Sequence, residues 1–338
     1  MQASKSTITN HAVRLVTRPV GEPKRSDFTF TDEVLPLIQD GEMLVKVEYL
    51  SLDPAMRGWM NDAKSYIAPV ALNDVMRAGG VELVIESKHP KFAAGDYVSG
   101  MVNVQTYCVT DGKGFAKIDS ALAPLTTYLN VLGMPGMTAY WGLMDVGQPK
   151  PGETLVVSGA AGAVGSTVGQ IAKIKGCRTV GIAGGKDKCD YVVNTLGFDA
   201  CIDYKADDVK KALKVNCPGG VDIYFDNVGG DILDAVLTRI NLHARIVICG
   251  AISQYNNTEA VKGPANYLSL LVNRARMEGI VVFDYAPRYK EAAIEIGGWL
   301  AAKKMVSKEH VVEGIDTFPE SLMKLFRGEN FGKLVLKI

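Results

Sequence analysis

Hydrophobic positions change their spacing about a third of the way along the chain. Before that point they come in short runs with partial alternation, as in GEMLVKVEYLSLDP (41–54), GGVELVIES (79–87) and FAAGDYVSGMVNVQTYCVT (92–110). β-branched and aromatic residues fill these runs, and Gly, Asp and Pro close them, which predicts strands. Short strands so punctuated suggest a partly open barrel. Near Leu125 the pattern shifts. LNVLGMPGMTAYWGLMDVG (129–147) reads as helical in parts, and after it short apolar runs alternate with segments of helical period. ETLVVSG, RTVGIAG, ACIDY, VDIYFDNVG and ARIVICG read as strands, and MEGIVVFDY (277–285) as a further one. AVGSTVGQIAKIKG, KDKCDYVVNTLG, DDVKKALKVNC, GDILDAVLTRI and PRYKEAAIEIGGWLAAKK read as helices. Strand–helix alternation of this kind predicts βαβ units and a parallel sheet. The tail, with HVVEGI and FGKLVLKI, returns to strand character and is expected to rejoin the β-rich domain. The expected division is residues 1–125 with 308–338 as one domain and 126–307 as the other.

The most informative turn lies between the first strand and helix of the alternating region. In SGAAGAVGS the spacing is Ala160-x-Gly162-x-x-Gly165, a dinucleotide fingerprint with alanine at its first position. Gly162 would let the backbone approach a pyrophosphate, and Gly165 would let the helix pack closely on the strand. The unpaired N–H groups and positive dipole end of the helix, including Ala163 and Val164, would face the phosphates. A lone glycine pattern is weak, but here a strand precedes it and a helix follows, which is the confirming context. A tight turn kept for packing alone is the competing reading.

NAD binders place Asp or Glu roughly 20 residues on, where it accepts from the ribose hydroxyl. In TVGIAGGKDKCDY no acid ends the strand. Ala183-Gly184-Gly185 leaves room, and Lys186 and Lys188 bring positive charge. Space and cations suit a 2′-phosphate, so NADP(H) is the expected cofactor. Two solvated lysines at a helix start are the alternative.

Bulk properties add exclusions. The 338 residues exceed one ordinary core and favour two domains. With 47% hydrophobic and 22% charged residues the chain reads as globular. Thirty-seven basic against 37 acidic residues give no reason to expect nucleic acid or an anionic membrane as partner. MQASKSTITNHAVRL lacks an apolar signal region, and no apolar stretch reaches the roughly 20 residues of a membrane helix. Six cysteines without a C-x-x-C pair fit free thiols in a reducing cytoplasm.

A β-rich domain followed by such a nucleotide domain resembles the medium-chain dehydrogenase/reductase superfamily over essentially the whole chain. The resemblance implies a GroES-like partly open barrel and a Rossmann doubly wound sheet, an α/β class overall. Zinc members carry an early catalytic Cys, a Gly-His-Glu and often a four-cysteine lobe. Here the corresponding positions hold Asp53, Gly79-Gly80-Val81-Glu82 without His, and only Cys108. His11, His89, His243 and His310 are scattered, so a zinc-free protein is expected.

The closer resemblance is to the prostaglandin, alkenal and curcumin reductase branch. It rests on SLDPAMRG (51–58), GMPGMTAYWGL (133–143), VSGAAGAVGSTVGQIAK (157–173), YFDNVGG (224–230), CGAISQYN (249–256), VVFDY (281–285) and GENFGKLVLKI (328–338). Trp59, Asp62 and the tract SYIAPVALNDVMRAGG give no substrate signature. The resemblance implies that Lys188 and Tyr204 lie near the 2′-phosphate. It gives cofactor contacts to Asn227, to the turn Cys249, Gly250, Ala251, Ile252 and Ser253, and to Asn330. Thr138 and Phe283 fall beside the nicotinamide, and Tyr285 is a further cofactor contact. Such proteins add hydride to the β-carbon of an enone or enal, and charge collects on the carbonyl oxygen. A neutral donor is needed there, and a tyrosine, with a pKa near 10, remains protonated. The resemblance points to Tyr255, whose alternative is a rim aromatic that only shapes the pocket. Tyr66 would line the substrate pocket, Tyr140 reads equally as core packing, and Arg57 as a structural partner. A homodimer is also implied. Rival readings are a quinone reductase of the same superfamily and an NADPH-binding protein without turnover.

Overall fold

The computed structural model describes residues 8–261 and 263–338. Its strands in chain order are β1 (Thr9–Leu15), β2 (Phe28–Val34), β3 (Met43–Ser51), β4 (Gly79–Ser87), β5 (Tyr97–Met101), β6 (Tyr107–Thr110), β7 (Ala116–Ile118), β8 (Thr154–Ser158), β9 (Arg178–Ala183), β10 (Ala200–Asp203), β11 (Val221–Asp226), β12 (Ile240–Ile248), β13 (Arg276–Gly279), β14 (Glu309–Glu313) and β15 (Lys333–Lys337). The helices are α1 (Ala55–Trp59), α2 (Met134–Trp141), α3 (Ala163–Ile174), α4 (Lys186–Asn194), α5 (Val209–Asn216), α6 (Gly230–Leu237), α7 (Leu268–Asn273), α8 (Tyr289–Ala301) and α9 (Phe318–Phe326). The chain forms two compact units. One comprises Met1–Leu129, Glu309–Glu329 and Leu334–Ile338, the other Asn130–Lys308 and Asn330–Lys333.

The first unit is built on a sheet in the order β14-β15-β3-β4-β5-β7, with β6 paired to β3. Its core gathers Val45, Val47, Val84 and Val98 from the strands, Leu334 and Leu336 from the C-terminal strand, and Phe318 and Leu322 from α9. β1 and β2 form a separate antiparallel pair that the hydrophobic pattern does not predict. The reason is Asn10, the second residue of β1, which is fully buried. Its Oδ1 accepts from the backbone N–H groups of Thr106 and Tyr107 at 3.1 and 3.0 Å, and its Nδ2 donates to Gln105 at 2.8 Å. A buried polar residue satisfied from a distant loop breaks the apolar alternation that marks a strand. Helix α9, with Phe318 and Leu322 on its inward face, also goes unpredicted in a tail that reads as strand.

The second unit is a six-stranded sheet in the order β10-β9-β8-β11-β12-β13, parallel throughout. Successive residues of β8 serve opposite faces: Leu155 and Val157 enter one core, Val156 the other. Helices on both faces explain why these strands read as unbroken apolar runs. The strand order reverses between β8 and β11, and in such sheets ligands bind outside the carboxyl ends at the reversal. One expected strand is shorter than its sequence run. β13 ends at Gly279, and Val282–Arg288 turns as a 3-10 helix. Pro287 lacks the N–H a sheet ladder needs, and the Tyr285 ring leaves the sheet to stack on Trp141 at 5.3 Å. The tail also divides: Leu334–Ile338 rejoins the first unit, while Asn330–Lys333 belongs to the second.

Candidate functional site

The turn after β8 begins at Gly159, whose φ of +63° is the left-handed conformation that favours glycine. The chain bend that the fingerprint assigns to its first position is therefore made one residue before Ala160. Ala160 itself is fully buried. Gly162 is the N-cap of α3, in extended conformation. With Ala163 and Val164 it stays half-exposed. Gly165 admits no other residue without rearrangement, because a Cβ there would lie 2.3 Å from the Gly159 carbonyl oxygen. The segment Asn330–Lys333 closes on this turn. Gly332 donates its N–H to the Ala161 carbonyl at 3.0 Å, and the Asn330 amide donates to the Gly332 carbonyl at 2.8 Å.

Across the strand reversal, the loop after β11 is locked to the Gly turn. The Asn227 amide donates to the Ser158 carbonyl at 2.8 Å, and its backbone N–H donates to the Ser158 hydroxyl at 2.9 Å. Beneath it sits Asp226, 1% exposed. Its Oδ1 accepts from the Ser158 and Tyr224 hydroxyls at 3.0 and 2.8 Å, and from the N–H groups of Val228 and Gly229 at 3.0 and 2.9 Å. Four donors on one oxygen satisfy a buried carboxylate. Burial, and then the Asp226 charge, drive the Tyr224 hydroxyl well above its usual pKa and the Cys249 thiol to about 12.

The loop after β12 docks on the same loop. Cys249 and Gly250 donate to the Asp226 carbonyl, Ile252 to that of Asn227, and Ser253 to that of Val228. Such proximity needs glycine opposite: a Cβ on Gly229, at φ +70°, would lie 2.9 Å from that of Ala251. Tyr255 follows the 3-10 turn Ile252–Gln254 and is half-buried. Its hydroxyl oxygen accepts the Ala251 N–H at 3.1 Å and lies 2.8 Å from where a Gly250 Cβ would stand. A rigid loop thus fixes this phenol, and accepting an N–H polarises its own O–H toward donation.

At the end of β9, Gly184 and Gly185 lead into α4. The Tyr204 ring lies on Gly184, its hydroxyl 2.8 Å from a Cβ built there. The two lysines differ. Lys186 is exposed and ion-paired with Asp190 one turn on. Lys188 is half-buried, and its pKa is lowered first by burial and then by the charge of Lys205.

Two family models match. One, described as the N-terminal domain of oxidoreductase, covers residues 11–118; the other, described as zinc-binding dehydrogenase, covers residues 163–297. The chain is 44% identical to the NADPH-dependent curcumin reductase of Escherichia coli (strain K12), over 96% of this chain and 95% of that one. It is 43% identical to the NADP(+)-dependent 2-alkenal reductase of Nicotiana tabacum, over 98% of both chains. The chain belongs to the medium-chain dehydrogenase/reductase superfamily. Among solved structures of this superfamily, CurA from Vibrio vulnificus in complex with NADPH superposes with a TM-score of 0.92 at 46% identity, covering 97% of this chain and 98% of that one.

The remaining expected residues of this dehydrogenase/reductase divide in two. Thr138, Phe283 and Tyr285 belong to the second unit. The Thr138 hydroxyl donates back to the Met134 carbonyl at 2.8 Å, leaving the side chain half-exposed on α2. Phe283 is half-exposed in the 3-10 turn. The Tyr285 hydroxyl donates to Asp145 at 2.6 Å, and burial together with that carboxylate takes its pKa to about 12. Its polar end is thereby engaged. Tyr66 stands in the other unit, in an irregular segment, 57% exposed. Tyr140, 8% exposed, packs edge-on against Trp141. Arg57 is buried and donates to the Gly21 and Pro19 carbonyls, a structural clamp. Among the described residues no group of three or more His, Cys, Asp or Glu is placed to hold a metal ion, and no helix is long and apolar enough to cross a membrane. Sequence reading missed Gly159 and Asp226. The Ser-Gly pair ending β8 and the acid ending the apolar run VDIYFD were the available signals.

Proposed function

We propose that the chain is an NADPH-dependent reductase of the carbon–carbon double bond of α,β-unsaturated ketones and aldehydes. The residues fit the cofactor. The cradle at Gly162–Gly165 has no space for a Cβ at Gly165, and Lys188 brings a cation to the Gly184–Gly185 turn, which is covered by Tyr204 at Gly184 and open at Gly185. The turn and the N-terminus of α3 would hold the pyrophosphate, and Lys188 and Tyr204 the 2′-phosphate. Bound there, NADPH supplies hydride. The observation that carries the reaction class is the Tyr255 hydroxyl, fixed by the Ala251 N–H at 3.1 Å. A neutral phenol so held offers a hydrogen bond to a carbonyl oxygen as negative charge gathers on it, and can pass its proton to the enolate carbon. Such a preorganised donor contributes roughly 3 kcal/mol of transition-state stabilisation.

Stopped-flow oxidation of NADPH against panels of enones, enals, saturated ketones and quinones tests this. Enone and enal turnover is expected. Turnover of saturated ketones without enones, quinone turnover alone, or binding with no turnover each contradicts it. Tyr255→Phe should slow the chemical step roughly a hundredfold, and an unchanged step removes the donor role. The proposal extends to a homodimer. β13 is an edge strand of its sheet, and Leu271 and Val272 on neighbouring α7 are 75% and 69% exposed. An unpaired edge beside exposed apolar side chains suits a second copy of the chain. Light scattering should give twice the 36.4 kDa chain mass, and a monomer refutes this part.

A further inference from the structure

The Gly184–Gly185 turn is shaped by a carboxylate from the neighbouring strand. Asp203, the last residue of β10, lies next to Ala183, the last residue of β9, in the parallel register. Its Oδ1 accepts the Gly185 N–H at 2.7 Å and the Lys205 N–H at 3.0 Å. One carboxylate oxygen therefore joins two turns, each following a different strand. Gly185, at φ +99°, is the N-cap of α4, so this bond sets where the helix carrying Lys188 begins. On the other side it holds the backbone of Lys205, whose charge acts on Lys188. Tyr204, between the two bonded residues, lies on Gly184 and donates its own N–H to the Ala183 carbonyl at 3.1 Å.

We propose that Asp203 is a positioning residue for cofactor choice, whose acceptor oxygen brings Lys188, Tyr204 and Lys205 to one side of the Gly184–Gly185 turn, where they receive a 2′-phosphate. The inference rests on the NADPH reading of this site. In NAD binders an acid at the end of the second strand accepts from the ribose itself. Here the acid stands one strand over and spends its acceptor capacity on backbone N–H groups. A carboxylate so engaged orders the turn and presents less free charge to an incoming phosphate. The adjacent ammonium groups repel each other, and a phosphate dianion between them relieves that repulsion.

The test is fluorescence titration of NADPH and NADH binding to the full-length protein, with thermal melts as a folding check. Asp203→Ala removes the acceptor and should weaken NADPH about tenfold while changing NADH less than about twofold, the scale of one lost charge-assisted hydrogen bond. Asp203→Asn keeps an acceptor oxygen without the charge and should restore NADPH binding to the original level or tighter. Lys205→Met should weaken NADPH selectively and less than Asp203→Ala. Equal losses for both nucleotides in Asp203→Ala indicate a merely structural role and overturn the proposal, as does an Asn variant as weak as the Ala variant. Failure of the underlying reading shows differently: the unmodified protein would then bind NADH as tightly as NADPH.

Discussion

Glu82 makes the stability of the folded chain depend on pH. It sits in the middle of β4, opposite Val47 on one side and Val98 on the other, with 0% exposure. Neither carboxyl oxygen has a hydrogen-bond partner. Burial holds its pKa well above the ordinary value of 4.5, so the folded chain keeps the carboxyl protonated to higher pH than the unfolded chain does. In the unfolded chain the same group ionises above pH 4.5. Stability is therefore undiminished by this group below that pH. It falls as pH rises toward the folded pKa, by about 1.4 kcal/mol per pH unit. Glu82→Gln abolishes the titration, so its stability advantage over the parent should widen as pH rises above 4.5 toward the raised folded pKa. Glu82→Met also removes the unsatisfied polar atoms and should add about 1–3 kcal/mol at every pH. At roughly 2–4 °C per kcal/mol the differences are measurable in thermal melts. Hydrogen exchange of Gly79–Ser87 localises them to this strand. Parallel pH profiles for parent and Gln variant would refute the reasoning, because a buried neutral carboxyl cannot leave the profile unchanged.

Other expectations follow from single contacts. Gly165→Ala forces a Cβ to 2.3 Å from the Gly159 carbonyl, so it should cost about 1–3 kcal/mol and weaken NADPH at least tenfold, measured by melting and titration. Gly298→Ala, within α8 and with nothing within 4 Å of the new Cβ, should instead stabilise by roughly 0.5–1 kcal/mol. Lys188→Ala should weaken NADPH at least tenfold more than NADH, and equal losses would remove it from the phosphate site. Burial raises every thiol: Cys108, Cys177 and Cys217 to about 11, Cys249 to about 12, and Cys189 and Cys201 upward as well. Little thiolate is present at pH 8, so a chromogenic disulfide should label the folded protein slowly and all six thiols after unfolding. Rapid labelling of even one folded-state thiol would contradict this.

What the sequence determined by itself is what depends on local period and local chain geometry. The βα alternation from Thr154 to Ile248 was legible because strands covered on both faces read as apolar runs and the helices between them as amphipathic. The glycine turn after β8 was legible because Gly165 answers a short-range need, meeting a carbonyl only six residues back. Tertiary structure decided the rest. β1 was hidden because its buried Asn10 is satisfied by residues 105–107, nearly a hundred positions away. Lys186 and Lys188 look alike in GGKDK, yet one is neutralised by Asp190 on the helix surface and the other is half-buried beside the Lys205 charge. Asp203 and Asp226 are ordinary acids in the chain. Only the sheet order, which sets β10 beside β9 and β11 beside β8, turns them into acceptors for the turns of neighbouring strands. Hydrogen bonds between loops of adjacent strands have no periodicity to read, because their spacing along the chain is set by the length of the helices between.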